Sequence, residues 1–221
     1  MQQNTKLCKF LIGLNIINFY KTPILLKSGQ KSHLYFNCRN LFNDVNAVTQ
    51  IAQSIITKIR KQKLKPDCFL GVPEGATPIA LITQLLWSQL NKQDIANPNI
   101  LAIGRGKSKK HGDKSNRYFI NAPKGKTLVI EDVITTGQSV LNIIDKINKS
   151  NCQIIGIISL IHRDDGKSDQ NFFQQLAKLN IKYLSLIKAS ELIPMAYKNY
   201  LKHNPRERLI EAEIATWLDH N

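Results

Sequence analysis

Short apolar runs alternate with helix-like segments along most of the chain, and no other feature restricts its fold as much. Residues 68–72, 100–103, 128–130, 154–161 and 183–187 each predict a strand that is continuously apolar rather than alternating. Residues 45–61, 78–90, 138–149 and 170–179 carry helical periodicity between and around them. A continuously apolar strand is buried on both faces, which a parallel sheet covered by helices on both sides provides. The expected class is therefore α/β, with a central, mostly parallel sheet flanked by helices.

The ends of the chain read differently. Residues 24–26 and 33–36 flank the polar turn at 27–32 and predict a two-stranded element. Ahead of them lies an apolar stretch from Leu7 to Phe19, in which Phe10, Leu11, Leu14 and Ile17 recur at helical spacing. Lys9, Asn15 and Asn18 interrupt it, so an amphipathic helix is expected rather than a signal or membrane-spanning segment. Residues 205–221, with Leu209, Ala212 and Trp217 near one stripe, predict a terminal helix. A chain of 221 residues, 43% of them hydrophobic, can bury one substantial core. One domain is expected, with residues 45–190 as its core, about 1–40 as a small added subdomain and about 195–221 as a helical tail.

Open parallel sheets bind ligands outside the carboxyl ends of their strands. Three loops leave such ends with unusual chemistry, at residues 71–78, 104–117 and 131–138, and they are expected to meet on one rim. The third belongs to the stretch LVIEDVITTGQSV, residues 128–140. Its apolar residues predict a buried strand, Glu131 and Asp132 the first polar side chains at its tip. Thr135, Thr136, Gly137, Gln138 and Ser139 then supply hydroxyls, a permissive glycine and backbone N–H groups where a helix begins, which describes an anion site, most naturally for phosphate. The plainer alternative is a capped helix with Thr135 or Thr136 as its N-cap. Two acids beside a phosphate would repel it unless they bind something else, and a phosphorylated ribose suits both halves. Gly106-Lys107-Ser108 has the tail of a nucleotide-binding P-loop, but Leu101 stands where its first glycine should be.

The charge balance agrees with an anionic ligand. Lys and Arg number 31 against 16 Asp and Glu, a formal net charge of +15. Nucleic acid, a membrane surface and phosphorylated small molecules are all consistent with it. The basic run from Lys58 to Lys65 has no interleaved aromatic residue and reads as a solvated helix end, so neither nucleic acid nor membrane is the expected partner. Cys8, Cys38, Cys68 and Cys152 lie far apart, without zinc-ligand spacing, and are expected to be reduced thiols in a cytoplasmic protein.

Val129-Ile130-Glu131-Asp132-Val133-Ile134-Thr135-Thr136-Gly137 resembles the phosphoribosyl-diphosphate signature of the type I phosphoribosyltransferases. Leu26-Lys27-Ser28-Gly29, Tyr35-Phe36, the loop from Gly71 to Ala76, and Arg105 to Gly112 resemble one branch, the orotate phosphoribosyltransferases. The similarity runs through Arg163 and spans about residues 20–190 in the family's order. It implies the type I fold with an N-terminal hood subdomain, and transfer of the 5-phosphoribosyl group from phosphoribosyl diphosphate to orotate. The products would be orotidine 5'-monophosphate and diphosphate, in the synthesis of pyrimidine nucleotides. It implies Mg2+ held mainly by the substrate, with no metal-ligating residue of its own, and a homodimer that shares its active-site loop. Glu131 and Asp132 would bind the ribose hydroxyls, and Val133 to Ser139 the phosphoribosyl group, with Thr135 near orotate as well. Arg105, Lys107, Lys109 and His111 would hold the diphosphate. Lys27, Tyr35, Phe36 and Arg163 would hold orotate.

Three departures from the family pattern accompany the match. Gly106 stands where the family has a lysine that reaches the partner subunit, and Lys107 follows one place later. His162 precedes Arg163 where an aspartate is usual. Glu74 and Gly75 replace residues that are often aromatic and, in some members, lysine. They motivate an alternative, a nucleotide-binding regulator of the same fold with little turnover, or transfer to another base. An RNA-binding role rests on net charge alone.

Overall fold

The structure, a computed structural model, describes residues 2–26, 29, 31–91, 100–109, 117–147, 152–164, 169–204 and 215. The predicted terminal helix at 205–221 lies outside the described residues, apart from residue 215.

Helix α1 (Gln2–Gly13) leads into the antiparallel strands β1 (Ile17–Leu25) and β2 (Lys31–Phe36) and a 3-10 helix, Cys38–Asn43. Helix α2 (Val45–Lys61) follows, then β3 (Cys68–Gly71), α3 (Thr77–Leu90) and the short strands β4 (Ile103–Gly104) and β5 (Phe119–Asn121). The chain continues through β6 (Gly125–Ile134), α4 (Gln138–Ile147), β7 (Cys152–His162), α5 (Gln170–Lys178), β8 (Tyr183–Lys188) and α6 (Ala189–His203). Strands β3, β6, β7 and β8 form a parallel sheet in the order β3-β6-β7-β8. This is the expected α/β class.

Two cores lie on the two faces of that sheet. Phe69, Leu128, Ile130, Ile158 and Leu160 face α2, α3 and α6, while Leu70, Val129 and Ile157 face α4 and α5. Alternating neighbours on β6 thus enter opposite cores, as a strand with both sides covered requires. The amino-terminal elements are not a separate body: Cys8, Leu11, Ile16, Ile17 and Leu34 belong to the first core, and Phe19 packs its ring against Tyr197 and Tyr200 of α6. Asp44 caps α2 through Asn46 N–H (2.8 Å), and the basic run ends the same helix, with the Arg60 guanidinium 5.7 Å above Trp87.

Four expectations need correction. The first helix stops at Gly13 and Ile17 already belongs to a strand, because Asn15 takes a left-handed φ of 51° that breaks the helical path. The strand expected at 100–103 is mostly loop: Ala102 makes one parallel bridge to Leu70, then Ile103 and Gly104 turn away to pair antiparallel with β5. Helix α6 starts at Ala189, ahead of the helical tail expected from about 195, and continues through Pro194, which interrupts the helical pattern in the sequence. Lastly, β6 does not end at Ile130, so Glu131 and Asp132 lie within the strand rather than at its tip.

Both central strands change phase near this point. Leu128 and Ile130 enter the first core, yet so does Val133, and Ile134 enters the second. On β7, Ile158, Leu160 and Ile161 all enter the first core. The two-residue alternation therefore slips by one at the same level in two paired strands, where Glu131 lies opposite Ser159 and Val133 opposite Ile161.

All four cysteines are free thiols. Burial, aided by Glu191, pushes the Cys8 thiol up to about 11. Burial also raises Cys68, and raises Cys38 well above the usual range with the charges of Asp132 and Glu131 adding to it. A thiol held neutral is a poor nucleophile. Native alkylation with iodoacetamide near neutral pH is thus expected to modify Cys152 at most, whereas rapid labelling of Cys8, Cys38 or Cys68, read by peptide mass spectrometry, would contradict their packing.

Candidate active site

The carboxyl ends of β6 and β7 open into a cleft of about 600 Å³. Glu131, Val133 and Ile134 of β6, the turn from Thr135 to Ser139, Tyr35 and Phe36 of β2, and Arg163 line it. Of the residues singled out by sequence, these are the ones that the fold brings together. Leu26, which opens the quoted Leu26-Lys27-Ser28-Gly29 motif but carries no expected role, and Asn142, which sequence reasoning misses, line the cleft too. Asn142 had a detectable signal: it lies one helical turn after Gln138, whose Nε2 donates to its Oδ1 at 2.9 Å.

The turn forms because α4 starts immediately after it. Leu141 N–H donates to Gly137 O at 3.0 Å, the first bond of the helix, so the amides ahead of it point out of the helix end. Thr136 Oγ accepts weakly from Gln138 N–H, at 3.4 Å. The N-cap position is therefore Gly137 rather than Thr135 or Thr136, and the helix N-terminus, with its amides and partial positive charge, lies at the cleft.

The two acids part company. Glu131 is only 6% exposed and lines the cleft, its Oε1 accepting the Asp132 N–H at 3.2 Å. Asp132 is half-buried; its Oδ1 accepts Val133 N–H at 2.8 Å, and its Oδ2 faces the loop after β3, where a Cβ at Gly75 would lie 2.5 Å from it. Gly75 therefore gives the carboxylate room that a larger residue would take. That loop also holds a cis peptide between Pro73 and Glu74.

The basic loop begins on the same rim. Arg105 N–H donates to Tyr118 O at 2.8 Å, Arg105 Nε to Phe119 O at 3.2 Å, and Lys109 N–H to Arg117 O at 2.9 Å, so backbone pairing ties the two ends of the loop together. Lys107 and Lys109 are exposed. A Cβ at Gly106 would lie 2.7 Å from Glu74 Oε1, so the Glu74 carboxylate occupies the space a lysine there would leave by. The contact between Glu74 and Gly106, together with that between Gly75 and Asp132, brings the three loops onto one rim, as expected. His111 and Lys27 lie outside the described residues.

Arg163 is the largest surprise. Taken alone it reads as a surface charge at a strand end, but it is 9% exposed, and its backbone N–H donates to Ile134 O at 2.8 Å beside the anion turn. A buried guanidinium in a cleft suits a planar carboxylate or carbonyl ligand. Tyr35 and Phe36 of β2 line the same cleft as Glu131.

The family model of the phosphoribosyl transferase domain matches residues 41–178. An orotate phosphoribosyltransferase of Marinobacter nauticus is 27% identical over 217 residues, 97% of this chain and 95% of that one. Among solved structures, an orotate phosphoribosyltransferase of Francisella tularensis superposes with a TM-score of 0.64 at 20% identity, covering 100% of this chain and 96% of that one. The UMP synthase of Leishmania donovani superposes with a TM-score of 0.70 at 22% identity over 96% of this chain, which spans only 42% of that longer protein. At these identities the superpositions establish the fold, the type I phosphoribosyltransferase fold, and the domain match establishes the family. With a helix N-terminus, a buried acid and a basic loop on one rim of its parallel sheet, the chain belongs to the phosphoribosyl transferase domain family.

Proposed function

We propose that the protein transfers the 5-phosphoribosyl group of phosphoribosyl diphosphate to orotate, giving orotidine 5'-monophosphate and diphosphate. The observation that carries the substrate choice is the buried Arg163 in one cleft with Tyr35 and Phe36, because orotate is a flat ring bearing a carboxylate. The names of the relatives in Marinobacter nauticus and Francisella tularensis support the same choice.

In this reading the amides and hydroxyls of Thr135 to Ser139 hold the 5'-phosphate at the helix N-terminus. Glu131 and Asp132 engage the ribose hydroxyls. As the anomeric carbon parts from diphosphate the sugar becomes electron-poor, and the Glu131 carboxylate, buried in the cleft, stabilises it where it forms. Lys107, Lys109, Arg105 and His111 neutralise the departing diphosphate, with Lys107 serving in place of the lysine missing at Gly106. Among the described residues no cluster of three or more His, Cys, Asp or Glu side chains is placed to hold a metal ion. In the same reading Mg2+ would be carried chiefly by the phosphate oxygens of the substrate, where its charge would ease departure of the diphosphate.

A homodimer and a cytoplasmic setting go with this reading.

Orotate consumption with phosphoribosyl diphosphate and Mg2+ tests the proposal, run on the parent, Lys107→Ala and Lys109→Ala. Loss of one charge-assisted contact to diphosphate is expected to lower kcat/KM by about 10- to 100-fold in each variant. Transfer to uracil or a purine but not to orotate would keep the family and overturn the substrate. Tight binding of phosphoribosyl diphosphate without turnover would favour a regulator, a reading that the Glu74 carboxylate against Gly106 makes worth testing.

A further inference from the structure

Behind the cleft, a buried pair of side chains joins the elements that carry its two ends. His162 closes β7 and Asp169 immediately precedes α5; His162 Nε2 and Asp169 Oδ2 lie 2.8 Å apart, each side chain 7% exposed. A carboxylate only accepts, so the ring donates through Nε2. Aromatic rings enclose the pair: His162 meets Phe173 edge-on at 5.5 Å and Tyr183 at 5.4 Å, and the Tyr183 hydroxyl is hydrogen-bonded to Ser159 at 2.7 Å.

This contact coincides with the slip in strand phase. Were the alternation of Leu160 continued, His162 would point into the first core and Arg163 toward α5. Because Ile161 has joined the first core instead, His162 turns to α5 and Arg163 to the cleft. The chain just beyond is anchored as well, since the Asp164 carboxylate accepts from Ser190 N–H at 3.0 Å and from its hydroxyl at 2.6 Å. At the other end of the pair, α5 carries Phe172, whose ring lies directly beneath Gly137 of the anion turn and packs against Tyr183 at 5.5 Å.

We infer that His162 and Asp169 are positioning residues that fix two binding groups at once: the direction of Arg163 and the height of the anion turn on Phe172. A hydrogen bond in a water-excluded aromatic shell holds its direction better than one at the surface. The pair thereby sets the distance between the acceptor end of the cleft and its phosphate end. The Arg163 half of this inference rests on the orotate reading; the anion-turn half needs only the family.

Steady-state kinetics of His162→Ala, His162→Gln, Asp169→Ala and Asp169→Asn, below each variant's melting temperature, test it. Displacing a binding group by a fraction of an ångström to an ångström costs up to about 100-fold. The alanine variants are expected to raise KM for both orotate and phosphoribosyl diphosphate by about tenfold, with kcat changed less than about threefold. His162→Gln, which keeps a donor, is expected to recover most of the loss. Should an alanine variant fail to fold, Asp169→Asn, which keeps an acceptor of the same size, carries the comparison. Unchanged KM values with only less folded protein would overturn the inference, as would a glutamine variant no better than alanine. If the parent shows no turnover of orotate, the orotate reading fails separately. Calorimetric binding of phosphoribosyl diphosphate then decides: about tenfold weaker binding in His162→Ala than in the parent supports the pair, and equal binding overturns it.

Discussion

Glu131→Gln is expected to lower kcat/KM for phosphoribosyl transfer by about 100- to 1000-fold while leaving the melting temperature unchanged or higher, the size of effect seen when one preorganised electrostatic group is removed. The substitution keeps the shape of the side chain and an oxygen to accept the Asp132 N–H now bonded at 3.2 Å, so only the charge is lost. That charge is 6% exposed in the cleft, where a lower effective dielectric makes it act more strongly on a nearby sugar cation than an exposed carboxylate would. Its folded-state cost has the opposite sign. Glu131 is the chain neighbour of Asp132 on β6, so two carboxylates lie close together and neutralising one relieves like-charge repulsion rather than creating it. Activity falling without stability falling is the signature of a functional group that the fold tolerates rather than needs. Asp132→Asn is expected to cost about tenfold, because its Oδ1 bond to Val133 N–H survives as an amide oxygen and its charge is less buried. Kinetics and thermal melts of both variants check this. A Glu131→Gln enzyme within threefold of the parent would remove the carboxylate from the chemistry, and a lowered melting temperature would give it a structural part instead.

How much of this was legible beforehand depended on how local each cause was. Helix α2 was readable at both ends, since Asp44 caps it and Ala47, Val48, Ile51, Ala52, Ile55, Ile56 and Ile59 keep a strict apolar face. The anion turn was readable because hydroxyls, glycine and helix start are consecutive residues. The boundary at Gly13 was not, since Ile17 continues the helical spacing and only the backbone of Asn15 departs from it. The slip in strand phase was equally hidden: Val133 and Ile161 are apolar, as any core residue is, and which core they enter is decided by neighbours far along the chain. For the same reason Arg163, apart from the family resemblance, reads as a surface charge and His162 only as a departure from pattern. Their partners, Ile134, Asp169 and the rings of Phe173 and Tyr183, are brought to them by the sheet and by α5. Periodicity reports burial within an element, but the contact that aims a side chain belongs to two elements.

Gly137→Ala is expected to destabilise the protein by about 3 kcal/mol, from a left-handed backbone cost of about 1–2 kcal/mol and an overpacking cost of about 1–3 kcal/mol. The backbone term arises because Gly137 has φ of 71°. The packing term arises because a Cβ there would overlap the ring of Phe172, a fully buried side chain walled in by Phe173 and Tyr183 at ring distances of 5.4 and 5.5 Å. For a chain of this length each kcal/mol shifts the melting temperature by about 2–4 °C, so a fall of about 6–12 °C follows. Gly29→Ala separates the two terms: its φ is 82°, yet no atom of the described residues lies within 4 Å of the added methyl, so only the backbone cost of about 1–2 kcal/mol remains. Phe172→Leu in the Gly137→Ala background tests the contact itself. With room for the methyl, the double variant should be less destabilised than the sum of the single ones by about 1 kcal/mol, the coupling of residues in direct contact. Strict additivity would mean that the ring does not support the turn. Coupling in stability together with weaker binding of phosphoribosyl diphosphate would show that the height of the phosphate-binding amides is set from beneath, by a residue that never meets the ligand.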